Sequence, residues 1–295
     1  MPGAHAGRTV NEMDDHSHYA SATESPDDLA EMLELDGEVL HAYLSSAIAW
    51  VSDLAAGHRP RRIVDLGSGT GAGTIALAQA FPAAVVVALD SSGELLCRVE
   101  AKARGIGAVD RIIPVKADLD DAWPAMEVVD LTWASMSLHH LADPDRVLTD
   151  IFALLRGGGL IAVAEMDGLP RFLPDDLGIG QPGLERRCHD ALAQAHARQM
   201  PSLGLDWGPR LSLAGFRSVT RRTIGIDLDP PLPASTGRYA QMFLRHIRSQ
   251  LVGIIAADDQ AVLDALVEDG SSNSVLHRHD LAIRGTRTIW AGWKP

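Results

Sequence analysis

The sequence is poor in the side chains that bind phosphate backbones. Its 26 Lys and Arg are outnumbered by 39 Asp and Glu, a formal net charge of −13. Nucleic-acid affinity rests on neutralising phosphates with basic groups, so nucleic acid is excluded as the main partner. The basic clusters Arg59-Pro60-Arg61-Arg62 and Arg221-Arg222 are short and read as solvated edges beside strands. Cysteine is scarce too. Cys97 and Cys188 stand far apart without metal-ligand spacing, the usage of a reducing compartment. No apolar run approaches the roughly 18 residues that a membrane crossing needs. Met1 to Ser17 is polar and lacks the apolar core of a secretory signal. The expectation is a cytoplasmic protein with no membrane partner.

What remains is a chain long enough to bury a sizeable core, organised as one core with a cap rather than two independent domains. Residues 1–24 read as a flexible leader, and 25–60 as N-terminal helices forming a lid. Ser25 can cap the first helix with Pro26 at its first position, and helical patterning runs on to Gly57. Residues 61–168 alternate strand and helix. Strands are expected at 62–66, 84–89, 112–116, 128–134 and 160–165, the last preceded by a helix that runs from Asp143 to Arg156 and stops at Gly157-Gly158-Gly159. Such alternation implies a doubly wound α/β sheet, mostly parallel, with ligands bound beyond the carboxyl ends of its strands. Residues 169–295 supply the last two strands, an antiparallel pair at one edge, around helical material at 184–200, 206–214, 234–257 and 260–267 that forms a substrate cap.

The string Val64-Asp65-Leu66-Gly67-Ser68-Gly69-Thr70-Gly71 carries the chemistry. Its glycines permit positive φ and close ligand approach. With Ala72 and with Asp90 about 20 residues on, it also fits a dinucleotide fingerprint, so the glycines and Asp90 leave a nicotinamide enzyme open. Four further features favour a different cofactor. Asp65 stands just before the glycines, where a carboxylate suits a cationic ligand and not a pyrophosphate. Asp118, with Leu119 behind it, follows the third strand and can accept from an adenine amino group. Ser135-Met-Ser-Leu-His-His-Leu141 follows the fourth strand, and Arg156-Gly-Gly-Gly-Leu160 precedes the fifth.

From Ile63 to Glu165 this pattern resembles the class I S-adenosylmethionine-dependent methyltransferases of small-molecule type. The resemblance implies a seven-stranded Rossmann-like sheet whose antiparallel edge strand is Thr286 to Trp293. It implies that Gly67, Ser68, Gly69 and Gly71 line the methionine and ribose of S-adenosylmethionine. Asp90 and Ser91 would hold the ribose, Asp118 and Leu119 would flank the adenine, and Ser135 would lie near the sulfonium. Asp65 would contact the methionine ammonium or orient the glycine loop. The product would be S-adenosylhomocysteine. A cofactor-binding protein that transfers no methyl group, cyclase-like or a binding partner, is the other class compatible with these residues.

Methyl transfer from a sulfonium depends largely on positioning, with a general base added when the nucleophile carries a proton. His139 and His140 are the candidates for that base or for orienting the loop. Adjacent histidines diverge and no third ligand stands at a suitable spacing, so no metal is expected. Tyr19, Met166, Asp167, Met242, Arg245 and His246, together with His139, are candidates for contact with the acceptor. The expected partners are a small-molecule acceptor and, at most, a second copy of the chain as a homodimer. Specialised metabolism is the expected setting.

Overall fold

The structure, a computed structural model, describes residues 25–121, 123–199 and 202–295. It opens with α1, Pro26–Val39. Ser25 Oγ accepts from Asp28 N–H at 3.2 Å and the Asp28 carboxylate accepts from Ser25 N–H at 3.1 Å, a reciprocal cap. The helix does not run on to Gly57. It breaks at Leu40 (φ −101°, ψ 23°) and restarts as α2, His41–Ala55. The break lets Met32 and Val39 of α1, and Tyr43, Ile48 and Val51 of α2, be buried in one apolar cluster.

The core follows as β1 (Arg62–Leu66), α3 (Ala72–Ala80), β2 (Val85–Asp90), α4 (Gly93–Gly105), β3 (Ile112–Lys116), β4 (Val129–Ser135), α5 (Pro144–Leu154) and β5 (Leu155–Met166). The strands sit within a residue or two of the expected positions, except that β5 begins at Leu155, ahead of the three glycines. Gly158 takes φ +74°, and a Cβ on Gly159 would meet the Arg156 carbonyl at 2.9 Å. The glycines therefore open an irregular strand start, where the pairing with β4 shifts register between Val129 and Leu131.

Beyond β5 come α6 (Leu184–Gln199), α7 (Trp207–Leu213), β6 (Arg217–Leu228), α8 (Thr236–Gln250), α9 (Ala257–Val267) and β7 (Ile283–Trp293). The helix expected over 234–257 is shorter, and Gly253 at φ +73° lies in the turn that separates α8 from α9. The seven strands lie in the order β3-β2-β1-β4-β5-β7-β6. The first five are parallel, and β7 runs antiparallel to both β5 and β6.

Alternation along the parallel strands buries both faces. Ile63, Val86, Leu131 and Ala162 face α1, α2, α3 and α4, while Val64, Val87, Ile161 and Val163 face α5 and α7. A third cluster joins α6, α8 and α9 through Leu184, Cys188, Leu244 and Leu263.

Candidate active site

The carboxyl ends of β1, β2, β3, β4 and β5 open into a cavity of about 320 Å³, roofed by α1 and α2. At the end of β1, Gly67, Gly69 and Gly71 take φ of +69°, +53° and +88°. A Cβ on Gly67 would stand 2.5 Å from the Ser137 Cβ, so the loop passes where only glycine fits. Ser68 N–H donates to the Leu89 carbonyl at 2.8 Å, tying this loop to β2. Ser137 Oγ donates to the Leu66 carbonyl at 2.8 Å, tying it to the segment after β4.

The carboxylates expected at the strand ends are there. Asp65 is buried and accepts from Thr74 Oγ at 2.6 Å. Burial pushes its carboxyl up to about 7, with the Thr74 hydrogen bond opposing and the charge of Asp90 adding to the rise. Asp90 accepts from Gly69 N–H at 2.8 Å and Ser92 N–H at 2.9 Å. Burial raises its carboxyl too, and the backbone donors offset part of the rise. Asp118 accepts from Asp120 N–H at 2.9 Å, and Asp120 in turn accepts from Ala142 N–H at 3.1 Å, joining the β3 end to the segment after the His-His turn.

All ten residues expected to meet the cofactor lie at this end of the sheet. Asp65, Gly67, Ser68, Gly69, Asp90, Ser91, Asp118, Leu119 and Ser135 line the cavity, and Gly71 packs against Val99 behind the loop. The residues fit an adenosine bearing a positive charge. They provide a glycine cradle that a Cβ would fill, carboxylates at successive strand ends, and a buried Ser68 Oγ with no hydrogen-bond partner among the described residues.

The residues expected to meet the acceptor divide differently. His140 and Met166 line the cavity. His139 does not: it is buried, and its Nδ1 lies 2.5 Å from Glu165 Oε2. Asp167 accepts from Thr288 Oγ at 3.0 Å instead of reaching the cavity. On α8, Met242 is buried in the core, Arg245 holds the Val267 carbonyl and Asp269, and His246 is buried, so none of the three lines the cavity. Phe243 is the α8 residue that does. The cause is rotational: the apolar face of α8 is spent on packing against α1 and α9, and only one position turns inward. Tyr19 lies outside the described residues. Among the described residues no cluster could hold a metal ion.

Sequence reasoning missed Asp36, Tyr43 and Arg287, which line the far end of the cavity. Arg287 Nη2 lies 2.5 Å from Asp36 Oδ1 and its Nη1 3.1 Å from Oδ2, while Tyr239 OH donates to Asp36 at 2.7 Å. The Arg287 guanidinium also lies 4.9 Å over the Tyr43 ring. Burial alone would lower the Arg287 pKa, but the Asp36 charge and hydrogen bonds win and hold it above its ordinary value. Arg287 is two residues before Ile289 and four before Ala291, both buried, so strand alternation already puts it on an inward face.

The comparisons agree with this geometry. Residues 63–159 match the family model for a methyltransferase domain. A malonyl-acyl-carrier-protein O-methyltransferase from Laribacter hongkongensis is 34% identical over 114 residues, 37% of this chain and 38% of that protein. A trans-aconitate 2-methyltransferase from Pseudomonas aeruginosa is 32% identical over 146 residues, 44% of this chain and 49% of that protein. The matches thus span less than half the length of these relatives. Among solved structures, a Bacillus halodurans protein provisionally described as a methyltransferase superposes with a TM-score of 0.52 at 16% identity, over 85% of this chain and 99% of that one. The YcgJ protein of Bacillus subtilis superposes with a TM-score of 0.50 at 12% identity, over 84% and 98%. These two likenesses concern the fold. Over residues 63–159, then, this chain is similar to methyltransferases.

Proposed function

We propose that this protein transfers the methyl group of S-adenosylmethionine to a small molecule held under α1 and α2. The observation that carries the reading is one continuous cavity. It joins the glycine cradle and the Asp90 and Asp118 carboxylates to an acceptor end formed by Tyr43, Met166, Phe243 and Arg287. When bound, S-adenosylmethionine supplies a methyl group already activated by its sulfonium. In this reading Gly67, Ser68 and Gly69 cradle the methionine portion, Asp90 holds the ribose hydroxyls and Asp118 with Leu119 the adenine. Asp65 lies behind the loop, and a bound cationic cofactor would favour its ionised form over the protonated form that burial favours. His140 is the group placed to take a proton from the acceptor, while α1 and α2 exclude water. Most of the acceleration then comes from alignment, worth on the order of 7–11 kcal/mol in favourable cases.

A role in specialised metabolism is our reading by analogy of fold. A cytoplasmic setting is supported by the two free cysteines and by the absence, among the described residues, of any helix long and apolar enough to cross a membrane.

The test is ligand-induced stabilisation. S-adenosylhomocysteine at about 100 times its Kd should stabilise the protein by about 2.7 kcal/mol, and NAD should not. Stabilisation by NAD alone would remove the methyltransferase reading. Formation of S-adenosylhomocysteine in step with acceptor consumption separates methyl transfer from cofactor binding without transfer.

A further inference from the structure

The two ends of the cavity differ in charge, and the difference bears on the acceptor. Among the described lining residues, five carboxylates face one cation: Asp36, Asp65, Asp90, Asp118 and Asp120 against Arg287. Asp65, Asp90 and Asp118 stand at the ends of β1, β2 and β3, on the cofactor side of the sheet. Arg287 lies opposite Met166 in the β5–β7 register, on the other side of β4. That cation is already committed. Both of its terminal nitrogens meet the Asp36 carboxylate, which also accepts from Tyr239 OH. The pair is neutral as a unit, and its oxygens are supplied with donors.

Beside this pair, the Tyr43 hydroxyl is buried, and it has no hydrogen-bond partner of normal geometry among the described residues. The Arg287 guanidinium, 4.9 Å over its ring, can donate to it but cannot accept its proton. Burial pushes the phenol up to about 12, so it remains an O–H donor at neutral pH. The surrounding wall is apolar, from Leu40, Leu44, Met166 and Phe243.

We infer that Tyr43 and the Asp36–Arg287 pair select an uncharged acceptor, an apolar small molecule presenting a carbonyl-type oxygen to the Tyr43 hydroxyl, and reject carboxylate anions. A buried donor without a partner favours a ligand oxygen that completes its hydrogen bond. A second carboxylate would face the half-buried Asp36 beside a cation that is already neutralised, an arrangement of like charges that discriminates between ligands. The inference rests on the methyltransferase reading for the location of the cofactor, and on the geometry of Asp36, Tyr43 and Arg287 for the acceptor class.

The experiment is calorimetry on the full chain saturated with S-adenosylhomocysteine. The probes are benzylideneacetone, cinnamate and trans-aconitate. The first two share one skeleton, with a methyl group in the ketone where the acid carries its charged oxygen. The ketone should bind at least about tenfold more tightly than cinnamate, and trans-aconitate should give no binding. Tyr43→Phe should weaken the ketone about tenfold and leave the affinity for S-adenosylhomocysteine unchanged. Asp36→Asn, which frees the guanidinium charge, should reverse the preference toward cinnamate. If Asp36→Asn does not fold, the wild-type ratio and Tyr43→Phe decide the matter. Cinnamate or trans-aconitate binding as tightly as the ketone, no binding of the ketone, or an unchanged ketone affinity in Tyr43→Phe overturns the inference. Failure of the wild type to bind S-adenosylhomocysteine is a separate result, and it removes the proposed function itself.

Discussion

His139 Nδ1 and Glu165 Oε2 meet at 2.5 Å in the interior, and the other Glu165 oxygen accepts from Leu138 N–H at 3.1 Å. One carboxylate thus fastens the turn after β4 to the end of β5. His140, whose ring centre lies 3.9 Å from that of His139, is left on the cavity side. The two histidines therefore differ in position: one holds the turn, and its neighbour lines the cavity.

This division predicts opposite responses to alanine. His139→Ala leaves Glu165 buried without its partner and should cost about 3–5 kcal/mol of stability, read from denaturant midpoints. His140→Ala should change stability by less than about 1 kcal/mol and lower kcat at least tenfold, with the affinity for S-adenosylhomocysteine retained. A large stability loss in His140→Ala together with full turnover in His139→Ala would reverse the assignment.

Asp65 predicts a pH dependence. Its carboxyl, ordinarily near 3.8, titrates at about 7 in the folded protein, chiefly because it is buried. Between those values the folded state keeps a proton that the unfolded state has released. Stability therefore falls as pH rises through that window and levels off above it. Glu185, raised to about 7 by burial, adds to the same fall. Asp65→Asn removes only the first contribution. Relative to wild type it should gain about 2–3 kcal/mol between pH 5 and pH 8, while binding S-adenosylmethionine more weakly. A difference in stability that does not vary with pH would show that Asp65 is ionised throughout.

The cofactor side of the cavity was readable because its determinants are local. Each carboxylate lies at or just beyond the end of a strand, and a strand's end can be found from its apolar run alone, so the positions of Asp65, Asp90 and Asp118 follow from local sequence. The Leu40 break and the early start of β5 do not, because helical periodicity persists across the first and glycines signal a stop before the second. The acceptor side resisted for a different reason. Asp36 and Arg287 are separated by most of the chain, and each is an ordinary charged residue until β7 inserts between β5 and β6. Conversely, the pattern on α8 marked Met242, Arg245 and His246 correctly as belonging to an amphipathic helix, but gave no sign of which face meets the cavity.

Asp90 serves two partners in this geometry, and its replacement should show both. Its carboxylate accepts from Gly69 and Ser92 N–H, and in the proposed function it also receives the ribose hydroxyls. Asp90→Ala should raise the Kd for S-adenosylhomocysteine by about 10–100-fold, the worth of hydrogen bonds to a charged acceptor. Asp90→Asn, which keeps an acceptor oxygen, should lose less. Unchanged affinity in Asp90→Ala, measured by calorimetry, would place the ribose elsewhere.

The approach of Gly67 to Ser137 offers a test by coupling. A Cβ on Gly67 would lie 2.5 Å from the Ser137 Cβ, and the backbone there has φ +69°. Gly67→Ala should therefore destabilise by a steric part and a conformational part, about 1–3 kcal/mol for the latter. Ser137→Gly removes the opposing Cβ and the Ser137–Leu66 hydrogen bond, but it leaves the positive φ in place. The double variant should recover the steric part and not the rest, giving a favourable interaction energy of about 0.5–3 kcal/mol in a double-mutant cycle. Strict additivity would mean that the two segments are farther apart than 2.5 Å implies, and that the floor of the cofactor cradle is not a close contact between the β1 and β4 loops.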